Sequence, residues 1–550
     1  MSLSNVIPRD PHQIVKRIGI LSLTGMLLLP IFGVVLGTFG ASDNTWPHLV
    51  STVLPDYVRN TLGLLLIVAC LTGSIGTLTA WLVAATEFPG RKLLEWLLVL
   101  PIAAPAYIIA YVYTDLLEYA GPVQTFIRDL TGWEQKDYWF PPIRTLWGAG
   151  LMLSLVLYPY VYLIARSAFL NHSGTRFAAA RSLGASPARA FWTVALPAAR
   201  PAILGGIALA LMETAADFGV ADYFAVPTFS TGIYRTWYGM GDQVSALRLA
   251  GMLLLLMGAM VLFERVSRKD SHTSDIPRDA LTQRMTLGPA LTCAAILACA
   301  LPIIFGFVVP VGALLEMTLS RPASAYVFRF LESAQHSITL SVCAALITVI
   351  VALMLSYVQR GETRSRKKGF TAVSTRLSTL GYALPGTLLA VGLLLPVMAI
   401  DKQVSGWLRD EAGVNWGLIL TQSIFILVYA YTIRFLTVAF NTLEPAITAI
   451  PHSMDEAART LGVRTRTLIA RVHLPVLMPA LYSACLLVFI DTMRELPATL
   501  LLRPLNFETL ATSVYRLAKD ERLAEAAPAA LLLVLIGLVP VLLLNRVTKR

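Results

Sequence analysis

Runs of about 18 or more apolar residues recur along the chain, separated by short polar and basic stretches. Each run is long enough to cross a ~30 Å hydrocarbon layer as a helix. Twelve candidate spans lie near residues 19–39, 61–85, 94–114, 147–170, 198–216, 244–263, 288–318, 336–358, 378–400, 415–439, 476–494 and 527–545. Pro302 and Pro310 interrupt the run at 288–318, which leaves room for an irregular break, and Pro101, Pro105 and Pro385 interrupt others. The pattern predicts an all-α polytopic membrane protein.

Composition agrees. Of 550 residues 56% are hydrophobic, the mean hydropathy is +0.67 and only 14% are charged, against roughly a quarter in a soluble domain. The net charge of +11 would point to nucleic acid in a soluble chain. Here it follows from loop topology, because with both termini inside, the inner segments hold 29 of the 44 Lys and Arg, the asymmetry expected of cytoplasmic loops. The run RGETRSRKK at 360–368 is then an inner loop. Lys16 and Arg17 before an apolar run resemble a signal peptide, but the run is long for one, and it reads as a retained first span. Cys70, Cys293, Cys299, Cys343 and Cys485 all fall in apolar spans without CxxC spacing, and the seven histidines show no ligand spacing, so no metal site is expected.

The chain repeats itself. FAAARSLGASPARAFWTVALP at 177–197 and DEAARTLGVRTRTLIARVHLP at 455–475 share eight of 21 positions at an offset of 278 residues. Downstream, Glu213-Thr214 faces Asp491-Thr492, Asp217 faces Glu495, and IYR at 233–235 matches VYR at 514–516; upstream, AAPAYIIA at 103–110 resembles ALPGTLLA at 383–390. Such a period marks a duplicated unit. Each copy has an even number of spans, so the two are parallel repeats with the pathway expected between them. The expected division is an N-terminal segment and first span (1–56), a first unit (57–265), a linker with the seventh span (266–334) and a second unit (335–545).

The polar stretch at 455–475 sits between two spans on the inner side. Ser453 to Glu456 reads as a capping box that starts a helix, Gly462 suits a left-handed C-cap, and a second helix from Thr465 to Val472 leads to Pro475. The expectation is a helix–turn–helix elbow, with small Ala457 and Ala458 permitting close approach and Leu461 as an apolar knob. An amphipathic loop on lipid headgroups explains one copy; a docking surface presented twice explains why both keep A-A-R-x-L-G.

E-A-A, three residues, G, then a downstream L-P on a cytoplasmic loop of a six-span unit resembles the EAA loop of binding-protein-dependent ABC importer permeases, and the resemblance covers both halves. It implies two parallel six-helix type I permease repeats in a bacterial inner membrane, whose elbows couple to two copies of a cytoplasmic ATPase subunit. The coupling residues so implied are Ala179, Ala180, Arg181, Leu183 and Gly184 in the first copy and Glu456, Ala457, Ala458, Arg459, Leu461 and Gly462 in the second. Ala178 stands where Glu456 stands, so the two contacts should be unequal. ATP and Mg belong to those partners, and no cofactor is expected in this chain, which has no G-x-x-x-x-G-K-[ST]. The stretches 212–241 and 491–527 resemble ferric iron permeases, in which both units are fused as here; fused thiamine permeases are the nearest rival. A periplasmic binding protein is expected to deliver the substrate to the outer loops 115–145, 217–243 and 496–526.

Glu213 and Asp217, and again Asp491 and Glu495, are four residues apart and share a helix face. Acids at mid-bilayer cost about 2.5–3.5 kcal/mol and usually face a bundle interior or water. They are expected either at the pathway, favouring a cation or holding a gate, or solvated at the outer headgroup level, with Arg494 able to neutralise Glu495. Two other classes stay in view. A twelve-span secondary transporter would need no repeated elbow, and a membrane-embedded enzyme would need a nucleophile–base set or metal spacing, which the spans lack.

Overall fold

The computed structural model describes residues 11–40, 45–134, 136–170, 174–269, 284–320, 327–363, 374, 381, 384–413, 417–463 and 465–548. Among these, eleven helices are long and apolar enough to cross a membrane, and a twelfth crossing results if one bent pair counts as a single span. The chain is an all-α, multi-pass membrane protein. Most of the basic run at 360–368 and most of the linker fall outside the described residues.

Several spans are shifted at their ends, the ninth (Gly386–Ala412 against 378–400) among them, and three take their form for local reasons. The third is the bent pair: Arg91–Ala103 and Ala106–Thr131 meet at 92°. Ala104 is extended (φ −91°, ψ 126°) ahead of Pro105, as a residue preceding proline prefers. The seventh, Pro289–Ser320, is continuous; Pro302 and Pro310 are absorbed around a π-type turn at Ile304–Val308. The tenth is Ile424–Thr448 rather than 415–439. The apolar residues before it are held as a loop by Asp401, whose carboxylate accepts from the N–H groups of Ile419, Leu420 and Thr421 at 2.8, 3.0 and 2.9 Å, and Ser423 then caps the helix through Phe425 N–H. Arg434 lies within this span.

The chain divides into two compact units that do not follow the sequence halves. One comprises 1–41, 243–251 and 331–509. In it the first span, Pro11–Gly37, packs on Gly386–Ala412 at near-backbone contact: a Cβ on Gly33 would meet the Gly392 carbonyl at 1.9 Å. The other comprises 42–242, 252–330 and 510–550. Its centre is Leu54–Ala85 against Leu146–Ala168. A Cβ on Gly76 would lie 2.6 Å from Val161, and one on Gly150 would lie 2.5 Å from Ile67, the small-residue packing expected between membrane helices. In the same unit Gly537 of the last span sits against the bend, where a Cβ would strike the Ala103 carbonyl at 2.1 Å.

Candidate functional site

Both elbows form, and element by element they keep the 278-residue offset. The first runs Gly174–Ser182, Pro187–Ala190, a π-type turn Phe191–Ala195 and the span Leu196–Ala216. The second runs His452–Thr460, Thr465–Leu468, Ile469–His473 and Leu474–Met493. The second elbow helix begins at His452, after Pro451, so Ser453 lies in its first turn rather than at the N-cap. Each elbow helix ends in a left-handed glycine, Gly184 (φ +87°) and Gly462 (φ +72°). Each closes with the same long bond, Ala185 N–H to Ala180 O at 3.0 Å and Val463 N–H to Ala458 O at 2.9 Å, the Schellman arrangement.

The expected coupling residues distribute alike. Leu183 and Leu461, just ahead of the glycines, are 88% and 81% exposed. Ala179, Glu456 and Ala457 are exposed, Ala180 is half-buried and Ala458 is buried. Arg181 folds back, donating to the Ala185 carbonyl at 2.7 Å. Arg459 is in the helix, but its side chain and that of Ala178 lie outside the described residues.

The acids after the elbows occupy matched helix breaks. Each span stops at a threonine carbonyl, which accepts from Asp217 N–H (from Thr214, 3.2 Å) and Glu495 N–H (from Thr492, 3.1 Å). The acid side chain then caps the short helix that follows: Asp217 accepts from Val220 and Ala221 N–H at 3.0 and 3.1 Å, and Glu495 from Ala498 N–H at 3.1 Å. These are Gly219–Tyr223 and Pro497–Leu502. Sharing a helix face is therefore not how the pairs work, because Asp217 and Glu495 have already left the helix that carries Glu213 and Asp491.

Their electrostatics diverge. Glu495 is buried and forms an ion pair with Arg434, Nε to Oε2 3.3 Å. Arg494 pairs with Asp491 at 2.7 Å rather than with Glu495. At the repeat-equivalent of Arg434 stands Val156, and burial, assisted by the Glu213 charge against the N–H bonds of Ala221 and Val220, pushes the Asp217 carboxyl up to about 7. Two clusters were not anticipated from sequence. Asp222 accepts from Tyr515 Oη at 2.6 Å and Lys519 Nζ at 3.0 Å, with Arg235 at 3.4 Å. Asp455, next to Glu456 in the elbow, is buried between Arg360 and His473. Neither has a motif; only the fold brings partners 95 and 293 residues away to these carboxylates. Among the described residues no group of three or more His, Cys, Asp or Glu could hold a metal ion.

Comparison with known proteins places these features in a family. The model of the binding-protein-dependent transport system inner membrane component matches twice, over residues 73–268 and 352–550. The chain is 25% identical to the Fe(3+)-transport system permease protein FbpB 2 of Haemophilus influenzae over 501 residues, covering 90% of each chain. It is 30% identical to the sulfate transport system permease protein CysT of Synechococcus elongatus, over 32% of this chain and 60% of that one. It is 26% identical to PhnV of Salmonella typhimurium, named for 2-aminoethylphosphonate transport, over 47% of this chain and 94% of the relative.

Proposed function

The chain belongs to the family of binding-protein-dependent transport system inner membrane components, with two type I permease repeats fused in one polypeptide, and on that premise we propose that it is the inner-membrane pathway of an ATP-driven ferric iron importer. A permease of this family is a transporter rather than an enzyme. The observation that carries the coupling role is the matched element order and closing turn of the two elbows, each presenting an exposed leucine immediately before its left-handed glycine. Two cytoplasmic ATPase subunits dock there, one on each elbow. Their closure on ATP moves the elbows, and the π-type turns at 191–195 and 469–473 pass that movement into the spans that follow. Hydrolysis on those subunits resets the cycle, and both termini lie on the ATPase side. A periplasmic binding protein engages the opposite face, to which the capped breaks and the loops 115–145, 217–243 and 496–526 belong.

Ferric iron is favoured because the similarity to the Haemophilus iron permease extends through both units, whereas the sulfate and phosphonate relatives align with only part of the chain. Of the acids at 213, 217, 491 and 495, those at 217 and 495 serve the pathway through structure: they cap the helices after the breaks rather than ligate the ion, and Glu495 and Asp491 already carry cationic partners. Uptake of labelled ferric iron, sulfate, thiamine and 2-aminoethylphosphonate by a strain whose only importer contains this chain tests the substrate. Iron uptake that needs ATP and outcompetes the others supports it. Uptake that follows a proton gradient without ATP removes the importer reading, and preference for another solute removes iron.

A further inference from the structure

The two elbows share a backbone but not an anchor. In the second, Arg360 and His473 converge on one carboxylate: Arg360 lies 3.1 Å from Asp455 Oδ2 and His473 Nε2 lies 2.8 Å from Oδ1. All three residues are buried. Arg360 also donates to the Ile447 carbonyl at the end of Ile424–Thr448, His473 Nδ1 meets Tyr357 Oη at 3.1 Å, and His452 approaches Asp455 at 4.0 Å from the elbow helix itself. One side chain on the elbow is thus tied directly to two neighbouring elements and, through Arg360, to a third. At the positions matching Asp455 and His473 the first elbow has Phe177 and Ala195. Phe177 is buried there against Trp81 (ring centroids 5.1 Å), which also meets Phe169 and Phe191 at 5.2 and 4.8 Å.

An aromatic nest holds mainly by contact area, with only weaker edge-to-face preferences between its rings. A buried carboxylate between two donors holds by geometry, and removing one partner leaves an uncompensated charge. We propose that Asp455, clamped by Arg360 and His473, is the positioning residue that carries displacement of the second elbow into the Val327–Thr363 and Leu474–Met493 spans, and that the first elbow makes the same transfer through Phe177 in its aromatic nest. The proposal rests on the reading that ATPase subunits dock on the elbows. The second elbow is the stiff, directional link and the first the compliant one.

The test uses the full chain reconstituted with its ATPase subunits and binding protein in proteoliposomes. Three quantities are read: substrate imported per ATP hydrolysed, the ATP concentration for half-maximal hydrolysis, and thiol–amine cross-linking of Leu461→Cys or Leu183→Cys to the ATPase subunit. Asp455→Asn should lower import per ATP about fivefold, weaken cross-linking at residue 461, and leave both half-maximal ATP and cross-linking at residue 183 unchanged. Asp455→Glu should restore most of the loss. If Asp455→Asn assembles poorly, His473→Gln against His473→Leu makes the same comparison, since only the amide still donates to the carboxylate. Wild-type import per ATP in these variants, or equal loss of cross-linking at both elbows, overturns the proposal. Absence of any cross-link from either position in the otherwise native chain instead removes the docking reading beneath it.

Discussion

Arg434 holds Glu495 across two helices of one unit, with the guanidinium 3.3 Å from a carboxylate that also caps the next short helix. A Cβ on Gly386 would come within 2.6 Å of that carboxylate and 2.8 Å of the guanidinium, so glycine closes one side of the pair. Losing one partner of a buried pair costs about 3–5 kcal/mol, while replacing both with apolar groups is often neutral. Arg434→Ala or Glu495→Ala should each sharply lower the yield and melting temperature of detergent-solubilised chain, and Arg434→Met with Glu495→Leu should recover much of the melting temperature. Additive losses in the double variant would show that the two residues act separately.

The glycines of the elbows test the turn itself. Nothing lies within 4 Å of a Cβ placed on Gly184 or Gly462, so crowding is not the issue; the positive φ is. A β-branched side chain there costs about 1–2 kcal/mol. Gly462→Val should abolish uptake with insertion intact, and Gly462→Asn, which tolerates this conformation, should retain most of it. Equal uptake by both variants would mean that the turn geometry is not used.

Exposed Leu183 and Leu461 should matter only to a partner. Leu461→Asp and Leu183→Asp are expected to shift the melting temperature of the isolated chain negligibly, as surface changes within about 0.5 kcal/mol do, and to reduce stimulation of the ATPase severalfold. Unchanged stimulation would count against docking at these points.

Acid and base should act oppositely on two neighbouring carboxylates. Burial raises Asp217 to about 7, so the folded chain holds a proton there that the unfolded chain releases near 4. Stability from this group therefore falls as pH rises from about 4 to 7, and Asp217→Asn should flatten the melting temperature across pH 5–8. For Asp222, burial opposes the charge, but hydrogen bonds from Tyr515 and Lys519, with the charges of Lys519 and Arg235, outweigh it and hold the carboxyl below its usual range. Its contribution is present above the unfolded value near 4 and fades as pH falls below it; Asp222→Asn should remove that acid sensitivity. A wild-type melting curve flat in both windows would refute the two assignments.

Apolar run length by itself determined the all-helical, membrane-spanning class, because a helix must satisfy its own backbone in lipid. The 278-residue repeat determined that there are two elbows, each ending at a glycine. These are local properties, and Gly184 and Gly462 show them without help from the rest of the chain. Only tertiary structure decided what the acids do. Glu495 and Asp217 occupy equivalent positions and cap equivalent helices, yet one meets Arg434 and the other does not, because the residue at the partner position lies 61 positions away and is Val156 in one copy. Likewise the elbow motif points to exposed Glu456, while the buried acid beside it is Asp455, fixed by Arg360 and His473 from other elements. The grouping of the first span with second-copy helices also has no local signature: it depends on Gly33 meeting Gly392 across 359 residues. Spacing along a chain encodes backbone conformation, whereas the cost of burying a charge is settled by whichever distant side chain the fold sets against it.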